Sequence, residues 1–467
     1  MVFSSISFLY YFIPSVLIIY FLVPNRFRNL VLLLFSLLFY FYGEPIYTLL
    51  ILASILSSYI HALLIEKYRD TKLKKVFFTS ALIADLAPLV FFKYADFIVH
   101  DFNRIFGLDI PLLQIVLPLG ISFYTFQMMS YTIDVYYQKV KAQRNILKLG
   151  TYVALFPQLI AGPIVRYHDI EQALDHRIHS FSNFAQGMNQ FIIGLAKKVI
   201  LANNLGLLCE IFINSSEKSV LFYWLYGMAF MLQIYFDFSG YSDMAIGMGR
   251  MLGFRFPINF NYPYIARSIT DFWRRWHISL SSWFRDYLYI PLGGNRVSQL
   301  KWIRNIMIVW FVTGLWHGAA WNFVLWGVYF GVLLMFEKLF LQKALDKMPV
   351  MIGHFYTLAT VYFSWIIFNA TDFDSVIADL KGLFGFTDLP LTNMVTLYYL
   401  KSYFLIIVIA IVAATPLFKN IVMKLKQHPR AERTLNVLEP IYLLVLLMIA
   451  TAYLIDGSFN PFIYFRF

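Results

Sequence analysis

Cysteine is almost missing from this chain of 467 residues, with Cys209 standing alone. One thiol makes no internal disulfide and no cysteine-rich metal site. Cys209 lies in an apolar stretch with no basic neighbour, so it reads as packing. Charge is scarce too: Asp, Glu, Lys and Arg make up 14% of the chain, against about 25% in soluble domains. That shortfall excludes an ordinary soluble enzyme. Several signatures are absent. Without G-x-x-x-x-G-K-[ST] there is no ATP-driven pump, and without G-x-G-x-x-G after a strand there is no dinucleotide site. Neither G-x-S-x-G nor H-E-x-x-H occurs. The histidines are scattered, so no metal site is expected.

What is present is apolar and aromatic. Hydrophobic residues reach 60%, with 48 Phe and 32 Tyr, and the mean hydropathy is +0.65. A chain this apolar does not stay solvated, which excludes disorder. At about 20 residues per crossing, its length suits roughly a dozen membrane helices and their loops. Lys and Arg number 38 against 26 acids, a net charge of +12. The excess fits the basic cytoplasmic loops of membrane proteins rather than a nucleic-acid partner. Membrane lipids are the expected surroundings. Residues 6–23 are apolar, no basic residue precedes them, and Arg26 and Arg28 follow. This predicts a retained first helix with its N-terminus outside, not a cleaved signal.

Loop charges extend that topology. Apolar spans are predicted at 6–23, 29–43, 45–65, 76–95 and 111–136. Basic loops follow the first, third and fifth, whereas the loop after the fourth carries Asp96, Asp101 and Asp109. Basic and acidic loops therefore fall on opposite sides. Near the other end, residues 419–433 hold Lys419, Lys424, Lys426, Arg430 and Arg433 and are expected inside. A last span at about 437–455 then leads the C-terminal tail outside. Residues 150–340 do not parse into simple crossings. Phe156-Pro157 and Gly162-Pro163 interrupt apolar sequence, and polar residues crowd 233–296. Irregular backbone at membrane depth survives only around a cavity, so re-entrant or tilted helices, and the function, are expected there.

Four constellations in the chain carry chemistry. From Ser268 to Tyr289, apolar residues recur in steps of three and four, which predicts one amphipathic helix. Arg274, Arg275 and Arg285 on its polar face suit headgroups or an anionic ligand; an interfacial anchor is the plainer alternative. His277, beside the apolar face, is either a partner of a reacting group or a histidine bonded to a carbonyl. In Gly314-Leu315-Trp316-His317-Gly318-Ala319-Ala320-Trp321-Asn322, His317 lies within the uncharged stretch 306–335. An ionisable group there is costly and usually faces a cavity, where imidazole can take a proton from a hydroxyl near neutral pH; a buried structural histidine is the plainer alternative. Trp316 and Asn322 flank it as substrate contacts. Asp237 and Asp243 sit among serines and glycines at 233–243. They suit a polar chamber wall, the coupling-ion site of a transporter, or plain helix–helix hydrogen bonding. The aromatic end, Asn460 to Phe467, is built to dock into a groove or to sit in an interfacial belt, and the docked alternative offers the Tyr464 hydroxyl to an active site.

Together these motifs resemble the membrane-bound O-acyltransferase family, nearest its bacterial alginate and peptidoglycan O-acetyltransferase branch. The resemblance is carried by Leu119-Gly120-Ile121-Ser122-Phe123-Tyr124, Phe156-Pro157-Gln158-Leu159-Ile160-Ala161-Gly162-Pro163, Tyr235 to Asp243, Asn259-Phe260-Asn261-Tyr262-Pro263, Phe272 to Ser281, Asp286 to Asn295 and Gly314 to Gly318. Gln158 departs from the His expected in many members. The resemblance implies an all-α polytopic membrane protein, a ring of about 10–12 transmembrane helices with re-entrant and interfacial helices around a central funnel. One integral-membrane domain would span 1–467, with N-terminal helices at 1–148, a catalytic core at 149–340 and C-terminal helices plus tail at 341–467. It implies His317 as the catalytic histidine, His277 as the second family histidine, and Tyr464 as an acyl carrier. No cofactor is held permanently; the donor would be acetyl-CoA or another acyl thioester. An extracytoplasmic acetyltransferase of the SGNH-hydrolase type would be the partner and a polysaccharide the acceptor, with the chain in the inner membrane.

Overall fold

The computed structural model describes residues 2–457, 459–461 and 463, so Tyr464 lies outside the described residues. No strand occurs among them. In chain order the helices are α1 (Ile13–Leu22), α2 (Arg28–Gly43), α3 (Tyr47–Lys67), α4 (Leu73–Phe106), α5 (Ile121–Tyr136), α6 (Ile146–Ala154), α7 (Phe156–Leu159), α8 (Tyr167–Asp175), α9 (Phe181–Ala196), α10 (Asn203–Asn214), α11 (Val220–Met251), α12 (Ile269–Trp273), α13 (Ile278–Phe284), α14 (Gln299–His317), α15 (Trp321–Phe336), α16 (Gln342–Leu345), α17 (Val350–Asn369), α18 (Phe373–Phe384), α19 (Met394–Ala413), α20 (Leu417–Leu425) and α21 (Pro429–Ile455). Lipid offers the backbone no hydrogen bonds, so a spanning segment must satisfy its own. Among the described residues nine helical stretches are long and apolar enough to cross: Asn25–Gly43, Tyr47–Lys67, Leu73–Phe106, Phe181–Asn214, Val220–Met251, Trp321–Leu345, Val350–Asn369, Met394–Ala413 and Pro429–Ile455. Only 6% of the apolar window of α21 is buried, and Val437, Ile441, Leu444 and Met448 are exposed. Only lipid covers such a surface without cost. The chain is an all-α, multi-pass membrane protein.

Two compact units divide the chain. One comprises residues 1–191 and 242–257, the other 192–241 and 258–467. In the first unit, Phe8, Phe12, Phe39 and Phe156 pack with ring centroids 5.3 to 6.2 Å apart, and the Phe156 amide donates to the buried Ser36 hydroxyl. The long α4 ends at Gly107, whose left-handed φ of +65° closes the helix without a Cβ clash. The span predicted at 111–136 starts late. Pro111 and Pro118 keep residues 111–120 irregular, with the amides of Leu113 and Ile115 donating to Asp96. Helix α5 begins after Gly120, where φ is +73° and an added Cβ would lie 2.4 Å from the Leu159 carbonyl oxygen. Gln158, fully buried, donates to the Tyr152 carbonyl.

Two further expectations need correction. Residues 181–251 do form simple long helices. The polar run at 233–243 rides on an unbroken α11, because its buried aspartate finds a side-chain partner and the backbone stays paired. Lys419 and Lys424 lie on α20, Lys426 in the turn after it, and Arg430 and Arg433 at the start of α21. The helix predicted from Ser268 to Tyr289 breaks at His277, and the stretch 306–335 breaks at Gly318–Ala320. Both breaks lie in the second unit, and both place a histidine.

Candidate functional site

The second unit builds its site from these two interruptions. Helix α12 starts as predicted, with the Ser268 hydroxyl accepting from the Asp271 amide at 3.0 Å. Its remaining N-terminal donors turn to a residue that the periodicity did not reveal. Glu337, buried on the π-turn after α15, accepts from the Ile269 amide at 2.6 Å, the Thr270 amide at 3.0 Å and the Thr270 hydroxyl at 2.5 Å. A carboxylate at a helix N-terminus meets both the free N–H groups and the positive end of the dipole.

The helix ends at Trp273, and the turn over 274–277 closes at His277, which takes a left-handed φ of +43° and is fully buried. A non-glycine residue in that region costs about 1–3 kcal/mol unless its surroundings enforce it. Asn259 does so. Its carbonyl accepts from the Ile278 amide at 3.0 Å. Its side-chain Oδ1 accepts from the Ser279 amide at 3.2 Å and the Ser279 hydroxyl at 2.8 Å, and lies 3.1 Å from His277 Nδ1. The Ser279 amide is a donor only, so this end of the Asn259 side chain is the oxygen. Nδ1 of His277 therefore carries the proton and Nε2 carries the lone pair. Nε2 is buried with no hydrogen-bond partner among the described residues. A buried acceptor held open in this way suits a substrate hydroxyl or thiol.

His317 is the last residue of α14, at the tip of a tight hairpin with α15 rather than in mid-helix. Glycines allow the approach. A Cβ on Gly314 would lie 2.4 Å from the Phe323 carbonyl oxygen, and one on Gly318 would lie 2.2 Å from the Phe323 ring. His317 is 3% exposed. The rings of Trp316, Trp326 and Phe368 surround it at 4.9, 5.0 and 5.4 Å. The Trp316 ring is also 5.9 Å from the His277 ring, so one indole contacts both histidines. Asn322 anchors the wall, its Nδ2 donating to the carbonyls of Phe368 at 3.2 Å and Ala370 at 2.8 Å. That ties the start of α15 to the end of α17.

The second unit also holds a cavity of about 330 Å³, with Trp273, Arg285, Trp302, Trp310, Thr313 and Lys338 among its walls and neither histidine lining it. Thr313 precedes His317 by four residues on α14, which puts both on one helical face. The three arginines do not share a face as predicted, because the break at His277 intervenes. Arg275 pairs with Asp271 at 2.9 Å, Arg274 is exposed, and Arg285 lines the cavity while pairing with Asp286 at 2.6 Å.

Asp237 and Asp243 are six residues apart on α11, and they meet different partners. In the second unit Asp237 pairs with Lys198 at 2.6 Å and accepts the Ile463 amide at 2.8 Å. In the first unit Asp243 accepts from Gln190 at 3.1 Å. The tail does return to the fold, with Ile463 buried in the core of the second unit.

Comparison with known proteins shows the family. Residues 138–375, which include both histidines, match the membrane-bound O-acyltransferase family. The chain is 42% identical over 399 residues to a probable alginate O-acetylase of Azotobacter vinelandii, covering 84% of this chain and 80% of that protein. It is 37% identical over 488 residues to a probable alginate O-acetylase of Pseudomonas putida, covering the whole of both. It is 33% identical over 520 residues to a peptidoglycan O-acetyltransferase of Helicobacter pylori, covering 100% of this chain and 98% of that protein. Two buried histidines in an aromatic, membrane-embedded unit, and relatives of this kind along the full chain, lead to one conclusion: the protein is an O-acyltransferase of the membrane-bound O-acyltransferase family.

Proposed function

We propose that the chain is an inner-membrane acetyltransferase that carries an acetyl group from a cytoplasmic thioester, acetyl-CoA by chemistry, to the O-acetylation of a cell-envelope polysaccharide. The observation that carries this reading is His317 at the glycine hairpin tip, sharing the Trp316 ring with a His277 whose Nδ1 is fixed by Asn259. The relatives named for alginate and for peptidoglycan both act on envelope glycans, which supports a glycan acceptor. The basic residues at 26–28, 67–75, 139–148 and 419–433 favour the cytoplasmic side, with both termini outside.

His317 serves as the base. It takes the proton of an attacking hydroxyl, and the oxygen adds to the thioester carbonyl carbon. The tetrahedral intermediate then collapses, the C–S bond breaks, and the thiolate leaves with the proton returned by the imidazolium. The net change is an ester and a free thiol. Tyr464 is the proposed hydroxyl. Its phenol has an ordinary pKa near 10, so attack at neutral pH needs a base in contact. His277 Nε2 accepts from the departing thiol and orients it. The cavity beside Thr313 suits the donor: Arg285 and Lys338 offer positive charge to its phosphates, and Trp273, Trp302 and Trp310 cover its chain. An extracytoplasmic acetyltransferase of the SGNH-hydrolase type then moves the acetyl group to the polymer.

Ester-linked acetate on envelope polysaccharides, compared at matched membrane levels, tests the reading. His317→Ala is expected to reduce it to background. Wild-type acetate in that variant would remove His317 from the chemistry. Acetate lost without His317 but retained in Tyr464→Phe would remove the tyrosine carrier.

A further inference from the structure

Lys198 and Asp237 are the most deeply buried ion pair among the described residues, 2% and 1% exposed. A pair like this is expensive in a low-dielectric setting unless its remaining donors and acceptors are also met. A carboxylate offers about four lone-pair positions and an ammonium three N–H groups, so one mutual contact leaves both unsatisfied. The C-terminal tail supplies the missing partners with matched polarity. Asp237 Oδ1 faces Lys198, and its Oδ2 accepts the Ile463 amide at 2.8 Å. Lys198 Nζ donates to the Pro461 carbonyl. Asn203, immediately after the π-turn Lys197–Ala202, donates to the Asn460 side chain at 3.1 Å. A Cβ on Gly206 would lie 2.9 Å from the Phe459 ring, so the tail also packs closely on α10. The helices give Lys198 room to reach across: a Cβ on Gly240 would come within 2.7 Å of the Gly194 carbonyl and 3.0 Å of the Lys198 amide. Single-turn π segments of this kind mark functional sites in many helices.

We propose that Lys198 and Asp237 are positioning residues, a buried clamp that grips the Pro461 carbonyl and the Ile463 amide and so docks the tail that leads to the proposed acyl carrier, Tyr464. This rests on the reading that Tyr464 carries the acyl group. The ion pair and the docked tail depend on each other. Without the tail, each charge loses a partner. Without the pair, the tail loses both of these charge-assisted anchors.

Exchanging the charges separates the clamp from plain structural support. In Lys198→Asp with Asp237→Lys the ion pair remains. The ammonium now faces the Ile463 N–H, however, and the carboxylate faces the Pro461 C=O. Docking is read by a disulfide between Asn203→Cys and Asn460→Cys in a Cys209→Ala background, since those side chains meet at 3.1 Å. The exchanged protein is expected to reach the membrane at normal levels. Disulfide formation should fall about ten- to a hundredfold, the weight of losing a hydrogen bond to a charged group, and polysaccharide acetate should fall with it. Oxidising the tether in the exchanged protein should then restore acetate. Wild-type acetate without the tether, undiminished disulfide formation, or no recovery in the tethered form would each overturn the clamp. If the exchanged protein does not accumulate, Ile463→Pro deletes the tail amide and leaves both helices untouched. It is expected to show the same losses, and full activity there would refute the clamp. Tyr464→Phe keeps the two questions apart. Lost acetate with normal disulfide formation upholds the carrier. Unchanged acetate removes the carrier on which the proposal rests.

Discussion

The hairpin of α14 and α15 makes a quantitative demand on Gly314. An alanine Cβ at that position would sit 2.4 Å from the Phe323 carbonyl oxygen and 3.1 Å from its carbonyl carbon, whereas ordinary contact begins at 3.4 Å. Both obstructing atoms are backbone, so no rotamer change relieves the overlap. The two helices must part by about 1 Å, at a point three residues before His317. Overpacking of this kind costs about 1–3 kcal/mol, which a large membrane protein tolerates. The chemistry tolerates less, because a displacement of about 1 Å at a reacting group costs about a hundredfold in rate. Gly314→Ala is therefore expected to fold, to reach normal membrane levels, and to leave roughly one hundredth of the acetylation rate. Gly331→Ala is the control on the same hairpin. There the added Cβ meets Met307 Sδ at 3.1 Å and Trp310 Cβ at 3.2 Å. A few tenths of an ångström suffice, and a methionine yields readily, so activity should stay within about threefold. The assay is the initial rate of ester-linked acetate accumulation on envelope polysaccharide, normalised to membrane protein. If Gly314→Ala retains more than about a third of wild-type rate, the hairpin spacing does not set the position of His317.

Asn259→Ala should leave the buried donors of Ser279 and His277 unmet, at about 1–3 kcal/mol each. A lowered unfolding temperature in detergent, with loss of activity, is the expected result, and an unchanged melting curve would refute the role of Asn259. Glu337→Gln should destabilise by about 1.5–3 kcal/mol, since the carboxamide nitrogen must face one of the three donors that now point at oxygen; thermal unfolding again reads it. On α8, a hydrogen bond to Asp134 raises the pKa of His168. A raised folded-state pKa adds stability that is fully present below the unfolded value near 6.5 and is lost as pH rises through the folded value. The stability difference between wild type and His168→Gln should thus be largest in acid and disappear in alkali. A difference that grows with pH would contradict the Asp134 contact.

The enzyme meets a problem that soluble acyltransferases do not have. Under the proposed function, a base must be kept from water and lipid yet reach a hydroxyl. Aromatic rings around His317 exclude water. Asn259 chooses the tautomer of His277 without adding charge. Glu337 and the Lys198–Asp237 pair put charge into the unit only where it is met on several sides.

Much of this was legible in the amino-acid order alone. The scarcity of charge and the apolar content required membrane helices, because such a surface has no other stable solvent. His317 stood out because ionisable groups at membrane depth are costly, and its glycine neighbours announced a close approach. The tail was aromatic where a terminus would normally fray, and it docks as far as Ile463. Other features were decided only by tertiary structure, and for one reason. Periodicity reports which face of a helix is apolar, not which distant group satisfies a polar atom. From 268 to 289 the apolar spacing suits a single helix, and only Asn259, 18 residues before His277, holds the break. Residues 306–335 carry no Asp, Glu, Lys or Arg, and their apolar spacing does not mark the turn at which His317 ends a helix. Polar crowding at 233–243 suggested broken backbone. Asp237 instead rides on an unbroken helix, because Lys198 from another helix and a tail amide 226 residues away complete its bonds. Local sequence set the solvent and the chemistry available. Long-range hydrogen bonds, which no periodicity encodes, decided which groups meet.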